Sequence, residues 1–207
     1  MSLMRTSAVM FDLDGVLVDA TEWHYEALNR ALRLFGSEIG REEHLKVYNG
    51  LPTTEKLKIL SERGEIPWGI HPVIKSLKKR YTEEEVSNKC RPSYEKLIML
   101  THLKRKGYKL ACCSNAQKYS VENMLRRSGI DHFFDLVLGN DEGYKTKPAP
   151  DIYLAAFRIL KVKPNETVII EDAPHGIKAA KASGGRVIEV KGFHEVNLTL
   201  MEKHKLL

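Results

Sequence analysis

The sequence predicts an α/β fold, with a doubly wound parallel sheet as its core and a small helical domain inserted after the first strand. Two observations predict this class. Short apolar runs alternate with amphipathic helical segments over most of the 207 residues, as expected for buried parallel strands joined by crossover helices. Between about residues 20 and 89 the alternation stops, and only helical patterns follow one another. We therefore expect residues 1–19 and 90–207 to form the core and residues 20–89 to form the insert.

The predicted strands are short and consist of close to continuous runs of apolar or β-branched residues. Such continuous runs are typical of strands that are covered on both faces. They are Ser7–Phe11, Lys109–Cys113, Leu136–Leu138, Thr167–Ile170 and Arg186–Val190.

Helical patterns separate the strands, and several of them end at glycine, a common helix terminator. Residues 94–106, for example, repeat apolar side chains at Leu97, Leu100 and Leu103 and stop at Gly107. In the core we expect helices over residues 94–106, 118–128, 150–160 and 174–183, and a last one over 194–207. In the insert we expect helices over residues 22–35, 42–48, 54–63 and 72–86.

Composition excludes several classes of protein. Hydrophobic residues make up 43% and charged residues 29% of the chain, so it is not a disordered polymer. The net charge is +6, from 33 basic and 27 acidic residues. Because the basic residues are spread along the whole chain, we do not expect a nucleic-acid partner.

The cysteine content and the N-terminus favour a cytoplasmic protein. Cys90, Cys112 and Cys113 are too few for a disulfide scaffold and fit a reducing compartment. No apolar run reaches the roughly 18 residues of a membrane span, and Met1–Arg5 lacks the apolar stretch of a secretory signal. We therefore expect no membrane partner.

Polar residues collect where the predicted strands end. In open α/β sheets ligands bind at the carboxyl ends of the strands. Carboxylates that converge there repel one another unless a cation lies between them, and an all-oxygen set suits Mg²⁺. A hydroxyl and a lysine in the same place can bind a phosphoryl group. The residues concerned are Asp12, Asp14, Ser114, Asn115, Lys147, Glu171 and Asp172.

Each of these residues also has a purely structural interpretation. Asp12 and Asp14 could belong to a turn, and Ser114 and Asn115 could cap the next helix. Glu171 and Asp172 could be acidic residues at a helix N-terminus. Lys145 competes with Lys147, although the position of Lys147 directly before a proline favours Lys147.

Four ordered motifs resemble the signatures of the haloacid dehalogenase superfamily, and they span essentially the whole predicted core. The insert is similar to the cap of the branch that contains phosphoglycolate phosphatases and β-phosphoglucomutases. The motifs are FDLDGVLVD at 11–19, SNA at 114–116, KPAPD at 147–151 and EDAPHGI at 171–177.

The resemblance implies a role for each site residue. Asp12 would attack phosphorus, and Asp14 would protonate the leaving alcohol and then deprotonate the hydrolytic water. Ser114, together with Asn115, would hold the phosphoryl group, and Lys147 would bridge that group and Asp12. Mg²⁺ would be bound by Asp12, the Asp14 carbonyl and Asp172, with Glu171 as a further ligand or as a partner of the ligands.

Other reactions of the superfamily are distinguished by particular positions. Asp14 favours C–O–P chemistry, because dehalogenases lack this second aspartate and phosphonate hydrolases have a small residue there. His24 is similar to a cap-hinge histidine of β-phosphoglucomutases, which makes it a candidate substrate-binding residue. Those mutases also have an arginine three residues after a cap glycine, where this chain has Thr53 after Gly50. The missing arginine weakens the mutase interpretation.

We therefore expect a Rossmann-like core with a small helical cap and the activity of a Mg²⁺-dependent phosphatase. The substrate would be a small phosphate monoester, such as a sugar phosphate, cleaved through an aspartyl phosphate. A phosphomutase is the first alternative, and a binding protein without turnover is the second. The physiological substrate and the oligomeric state stay open, and a monomer is compatible with the sequence.

Overall fold

A five-stranded sheet in which all neighbouring strands are parallel forms the centre of the computed structural model, which describes residues 6–207. The order of the strands is β3-β2-β1-β4-β5, so β1 lies in the middle. The predicted α/β class is confirmed. The N-terminal Met1–Arg5 lies outside the described residues. The strands are β1 (Ala8–Phe11), β2 (Lys109–Cys113), β3 (Leu136–Leu138), β4 (Thr167–Glu171) and β5 (Arg186–Glu189).

Both faces of the central strands are covered. Met10, Ala111 and Ile169 belong to one apolar cluster, which also contains Tyr153 and Ala179 from two core helices. The alternating residues of β1, β2 and β4 point the other way and are also fully buried. This burial explains why the strands have continuous apolar sequences instead of alternating ones.

Helices connect the strands, with bounds within one or two residues of most predictions. The largest difference is in the C-terminal segment, predicted as one helix over 194–207. The structure has a 3₁₀ turn at Phe193–Glu195 and a shorter helix, because the extended Asn197 separates them and its side chain accepts a hydrogen bond from the Leu200 N–H. The core helices are α5 (Tyr94–Arg105), α6 (Lys118–Arg127), α7 (Asp151–Leu160), α8 (Pro174–Ser183) and α9 (Leu198–Lys203).

The chain divides into two compact units, one made of Met1–Asp19 with Arg91–Leu207 and the other of Ala20–Cys90. The second unit is helical and has its own apolar core, which includes Leu28, Leu57 and Ile74. Its helices are α1 (Thr21–Arg33), α2 (Arg41–Glu43), which continues into a π-helical turn at His44–Tyr48, α3 (Thr53–Glu62) and α4 (His71–Lys89). Along residues 6–207, every helix is too short or too polar to cross a membrane.

His44 is buried in the helical unit as a neutral imidazole. Its ring lies 4.9 Å from that of Tyr25, and no hydrogen-bond partner within the described part of the chain reaches its Nδ1 atom. Burial, followed by the charge of Lys56, lowers the pKa of His44 to about 4. Because an unfolded histidine has a pKa near 6.5, the unfolded chain binds more protons between these two values.

We expect His44 to destabilise the helical unit in acid. Its contribution to stability is present above about pH 6.5 and is lost as the pH falls toward 4. His44→Gln should therefore lose less stability than the unmodified protein between pH 7.5 and 5. Denaturant unfolding followed by tryptophan fluorescence measures this, because Trp23 and Trp68 both lie in the helical unit. The exposed His132 supplies the control His132→Gln, and equal pH dependence in both variants would contradict the expectation.

Candidate active site

The polar residues predicted from the strand ends meet at one edge of the sheet. Asp12 directly follows β1, Ser114 follows β2, and Glu171 is the last residue of β4. Backbone hydrogen bonds continue past the strands, since the Asp12 N–H donates to the Ile170 carbonyl at 3.1 Å and the Ser114 N–H to that of Leu138 at 3.1 Å. The pairing of β1 with β4 therefore fixes Asp12, and the pairing of β2 with β3 fixes Ser114.

A tight turn after β1 sets the position of Asp14. Gly15 has a φ of +79°, a conformation that strains other residues, and its N–H donates to the Val18 carbonyl at 2.8 Å. The Leu17 N–H donates back to the Leu13 carbonyl at 2.9 Å. The turn leaves Asp14 partly exposed two residues after the buried Asp12.

Lys147 is the cationic centre of the site. Its side chain is 4% exposed, and its Nζ atom donates to Asp12 Oδ1 at 2.7 Å and to Glu171 Oε1 at 2.6 Å. A third hydrogen bond, of 2.8 Å, goes to the carbonyl oxygen of Cys113. The ammonium therefore uses its three donors on β1, β2 and β4, which ties the three strand ends together.

Glu171 is fully buried and is held by groups that the sequence analysis did not identify. The hydroxyl of Tyr153, on α7, donates to the same Oε1 atom that accepts from Lys147. Gly176, on α8, leaves room for the carboxylate, because a Cβ atom there would lie 2.1 Å from Glu171 Oε2. That Oε2 atom is buried and has no hydrogen-bond partner within residues 6–207.

Oxygen atoms of Asp12, Glu171 and Asp172 all lie within 4.8 Å of one another. Asp172 Oδ1, like Glu171 Oε2, is buried and has no hydrogen-bond partner in the described part of the chain. Buried polar oxygens without a partner are costly. An all-oxygen cluster with such free lone pairs is suited to hold a hard divalent cation.

Negative charge exceeds positive charge in this cluster, and the pKa values respond to the excess. Burial raises the pKa of Asp172 to about 7, with the charges of Glu171 and Asp14 adding to the effect. Burial also raises the pKa of Asp12, against the opposing influence of Lys147. For Lys147, burial lowers the pKa, but the charges of Asp12 and Glu171 outweigh it and hold the pKa above its usual value.

Ser114 and Asn115 directly follow β2 and have different surroundings. Ser114 is 1% exposed, and its Oγ atom accepts a hydrogen bond from the Ala116 N–H at 3.0 Å. A hydroxyl that accepts in this way still has its own proton to donate. The Asn115 side chain instead contacts the backbone of Lys147, through two hydrogen bonds of 2.9 and 3.3 Å.

His24 lies in the other compact unit, on α1. Within its own unit, its Nδ1 atom is 3.0 Å from Nζ of Lys78, on α4. The spacing of 54 residues between the two gave no indication of this contact.

The sequence analysis missed Tyr153 and Gly176 for different reasons. Tyr153 lies in the apolar pattern of α7, although a buried tyrosine generally needs a hydrogen-bond partner and could have been questioned on that ground. Gly176 matters only because α8 passes close to a carboxylate of β4. No sequence spacing reveals such an approach.

A scan against protein families matches residues 9–190 to the model described as haloacid dehalogenase-like hydrolase. The chain belongs to this family. The family resemblance stated from the four motifs is therefore confirmed.

Known proteins with related chains include phosphatases and phosphomutases. A phosphorylated carbohydrates phosphatase of Thermotoga maritima is 32% identical over 180 residues, which are 86% of this chain and 81% of that protein. The structure of CbbY from Rhodobacter sphaeroides with phosphate is 27% identical, has a TM-score of 0.78, and is matched over 91% of this chain and 88% of that one. These relatives support phosphatase or phosphomutase activity, in agreement with the sequence prediction.

A β-phosphoglucomutase from Clostridium difficile shows the same fold. The TM-score is 0.80 at 22% identity, over 96% of each chain. At this identity the likeness concerns the fold alone.

We expect Gly176→Ala to destabilise the core, because the added Cβ would collide with the buried Glu171 carboxylate. Overpacking of this kind costs about 1–3 kcal/mol in the free energy of unfolding, and guanidinium unfolding followed by circular dichroism measures it. Gly69→Ala is the matched control, since no described neighbouring atom lies within 4 Å of its added Cβ. Equal stability of the two variants would show that Glu171 is not held in this position.

Proposed function

We propose that the protein is a Mg²⁺-dependent phosphatase that cleaves a small phosphate monoester, such as a sugar phosphate, through an aspartyl-phosphate intermediate. The observation that carries the proposal is the buried contact of 2.7 Å between Asp12 and Lys147, inside a cluster of further carboxylates. A carboxylate held beside a cation can attack a phosphoryl group, whose negative charge would otherwise repel it.

The candidate metal ligands are Asp12, Asp172 and the backbone carbonyl of Asp14, with Glu171 as a ligand or as a partner of the ligands. The Oε2 atom of Glu171 and the Oδ1 atom of Asp172, which have no hydrogen-bond partner among residues 6–207, support this assignment. So does the excess of negative charge around Asp172. Bound Mg²⁺ would neutralise charge on the carboxylates and on the phosphoryl group.

Lys147 and Ser114 would bind the phosphoryl group before the reaction. The Lys147 ammonium neutralises negative charge, and the Ser114 hydroxyl donates a hydrogen bond to a phosphoryl oxygen. We include Asn115 in the phosphoryl-binding segment that the motif implies. Catalysis would consist mainly of positioning and of neutralising charge, as is usual in phosphoryl transfer.

Asp14 would move the protons in both halves of the reaction. In the first half, an Asp12 oxygen bonds to phosphorus, the ester P–O bond breaks, and Asp14 gives its proton to the leaving oxygen. In the second half, Asp14 takes a proton from water, whose oxygen attacks phosphorus and releases Asp12 and phosphate. The partly exposed position of Asp14 is compatible with contact to the leaving group and to water.

We propose that residues 20–89 act as a cap that selects the leaving group, with His24 as a substrate-binding residue. The pair of nitrogens formed by His24 and Lys78 supports this assignment, since such a pair can bind oxygen atoms of a polar leaving group. The physiological partner would be a small phosphorylated metabolite. The free, buried state of all three cysteines supports a cytoplasmic location.

A phosphomutase is the second candidate, and the contact between His24 and Lys78 is the observation that favours it. This contact favours a mutase because His24 resembles the cap-hinge histidine of β-phosphoglucomutases. Against it, Thr53 occupies the position where mutases have an arginine for a distal phosphate. Phosphatase is therefore the main proposal.

We expect the protein to release inorganic phosphate from p-nitrophenyl phosphate when Mg²⁺ is present and to stop when EDTA removes it. Asp12→Asn should lower kcat by at least about 1,000-fold, because an amide is a poor nucleophile toward phosphorus. The matched control is Asp131→Asn, which changes an exposed carboxylate and should keep full activity. Equal activity of the Asp12 variant and this control would contradict the mechanism.

A further variant tests the role of Asp14, and two substrate experiments separate the alternative functions. Asp14→Asn should block turnover with the fold intact, as judged by circular dichroism, and unchanged turnover would remove its proton-transfer role.

Conversion of β-glucose 1-phosphate to glucose 6-phosphate with a bisphosphate primer would favour the mutase. A protein that binds sugar phosphates but transforms none of them would support the non-catalytic alternative.

A further inference from the structure

We propose that Asn115 is a positioning residue that holds the backbone of Lys147, and so keeps the Lys147 ammonium against Asp12. The inference rests on the proposed function, since it concerns the lysine that would bind the phosphoryl group. Asn115 Oδ1 accepts from the Lys147 N–H at 2.9 Å, and Asn115 Nδ2 donates to the Lys147 carbonyl at 3.3 Å. One side chain thus binds both polar groups of the Lys147 backbone.

Lys147 needs this support because it comes from a loop. The region from Gly139 to Pro150 lies between β3 and α7 and contains no helix or strand. The ammonium at the tip of the Lys147 side chain is fixed by Asp12, Glu171 and the Cys113 carbonyl. The Asn115 side chain fixes the other end, at the backbone. With both ends held, the ammonium loses most of its freedom before substrate binds.

Asn115 is itself held by the loop that follows β3. The Asn140 side chain donates to the Asn115 carbonyl, and the Asn140 N–H donates to the Ala116 carbonyl at 2.9 Å. Gly139 permits the close approach, because a Cβ atom there would lie 2.3 Å from the backbone nitrogen of Lys118. Asn115 therefore has the rigid backbone that a positioning residue requires.

Direct binding of phosphate by the Asn115 side chain is the competing interpretation. Because Asn115 directly follows Ser114, the motif alone favours direct phosphate binding and positioning of Lys147 equally. The structure favours positioning, because both the oxygen and the nitrogen of this side chain already contact Lys147. The two roles differ in what a substitution does to Lys147 itself.

Asn115→Ala should lower kcat by about 10- to 100-fold, more than it raises KM, as expected when a supporting contact is lost and a reacting group is misplaced. The same variant should expose Lys147 to acetic anhydride, so that mass spectrometry finds it acetylated faster than in the unmodified protein. Asn88→Ala, at an exposed position on α4, is the matched control and should change neither quantity.

Lys96 is an internal reference for the labelling. It is buried in the same compact unit, where its Nζ atom donates to the carbonyl oxygens of Phe193 at 2.8 Å and Val196 at 2.6 Å. Faster acetylation of Lys147 alone, together with the loss in kcat, supports the proposal. An unchanged acetylation rate of Lys147 in Asn115→Ala overturns it, and so does an unchanged kcat.

If Lys96 is also acetylated faster, or if Asn115→Ala does not fold, Asn115→Asp decides. This variant keeps the acceptor for the Lys147 N–H and loses the donor to its carbonyl, so it should show a smaller increase in acetylation confined to Lys147. If Lys147 is acetylated no faster in Asn115→Asp than in the unmodified protein, the proposal is overturned. Because acetylation of Lys147 needs no turnover, it tests the role of Asn115 even if the unmodified protein releases no phosphate. Failure to release phosphate would count against the proposed function and not against the role of Asn115.

Discussion

The buried ion pairs of Lys147 are the constraint on which the rest of the site depends. Burying an ammonium that is 4% exposed is costly unless close partners compensate its charge, and Asp12 and Glu171 do so at 2.7 and 2.6 Å. These partners bring their own cost, because they lie beside Asp172 and leave the cluster with more negative charge than Lys147 can balance. Burial, with the charges of Glu171 and Asp14 adding to it, raises the pKa of Asp172 to about 7. A divalent cation would relieve the excess of negative charge, which supports the proposed metal site.

The sheet gives this cluster its location. Because β1 lies in the middle and β2 and β4 pair with it on either side, the ends of three strands bring Asp12, the Cys113 carbonyl and Glu171 to a single ammonium. In open α/β sheets this edge is where ligands bind. Small residues then allow close approach, as Gly176 does for the Glu171 carboxylate. The same contacts that hold the core together hold Asp12, Lys147 and Glu171 in place.

Much of the fold could be predicted from the sequence because the signals are local. Buried parallel strands are continuous apolar runs, and glycines such as Gly107 mark the ends of helices, so most bounds agree within one or two residues. The C-terminal helix was predicted too long because its apolar pattern continues across Asn197, whose extended backbone interrupts it. The residues at the strand ends could be predicted as one group because the carboxyl ends of parallel strands lie at the same edge of the sheet.

What the sequence could not reveal are contacts between distant elements. The Tyr153 hydroxyl, the space at Gly176 and the pairing of His24 with Lys78 each depend on how two helices, or a helix and a strand, pack together. The contact of Asn115 with the Lys147 backbone joins residues 32 positions apart. Sequence patterns carry periodicity and residue type, and neither specifies such a distance.

The most direct test of this account is the thermal midpoint of unfolding with and without millimolar Mg²⁺. An ion that binds only the folded chain raises the free energy of unfolding, by about 2.7 kcal/mol when the free ion concentration is a hundred times its Kd. We predict that Mg²⁺ raises the midpoint of the unmodified protein and of the exposed control Asp131→Asn, but not that of Asp172→Asn. No increase in the unmodified protein, or an equal increase in the Asp172 variant, would contradict the claim that these carboxylates form a cation site.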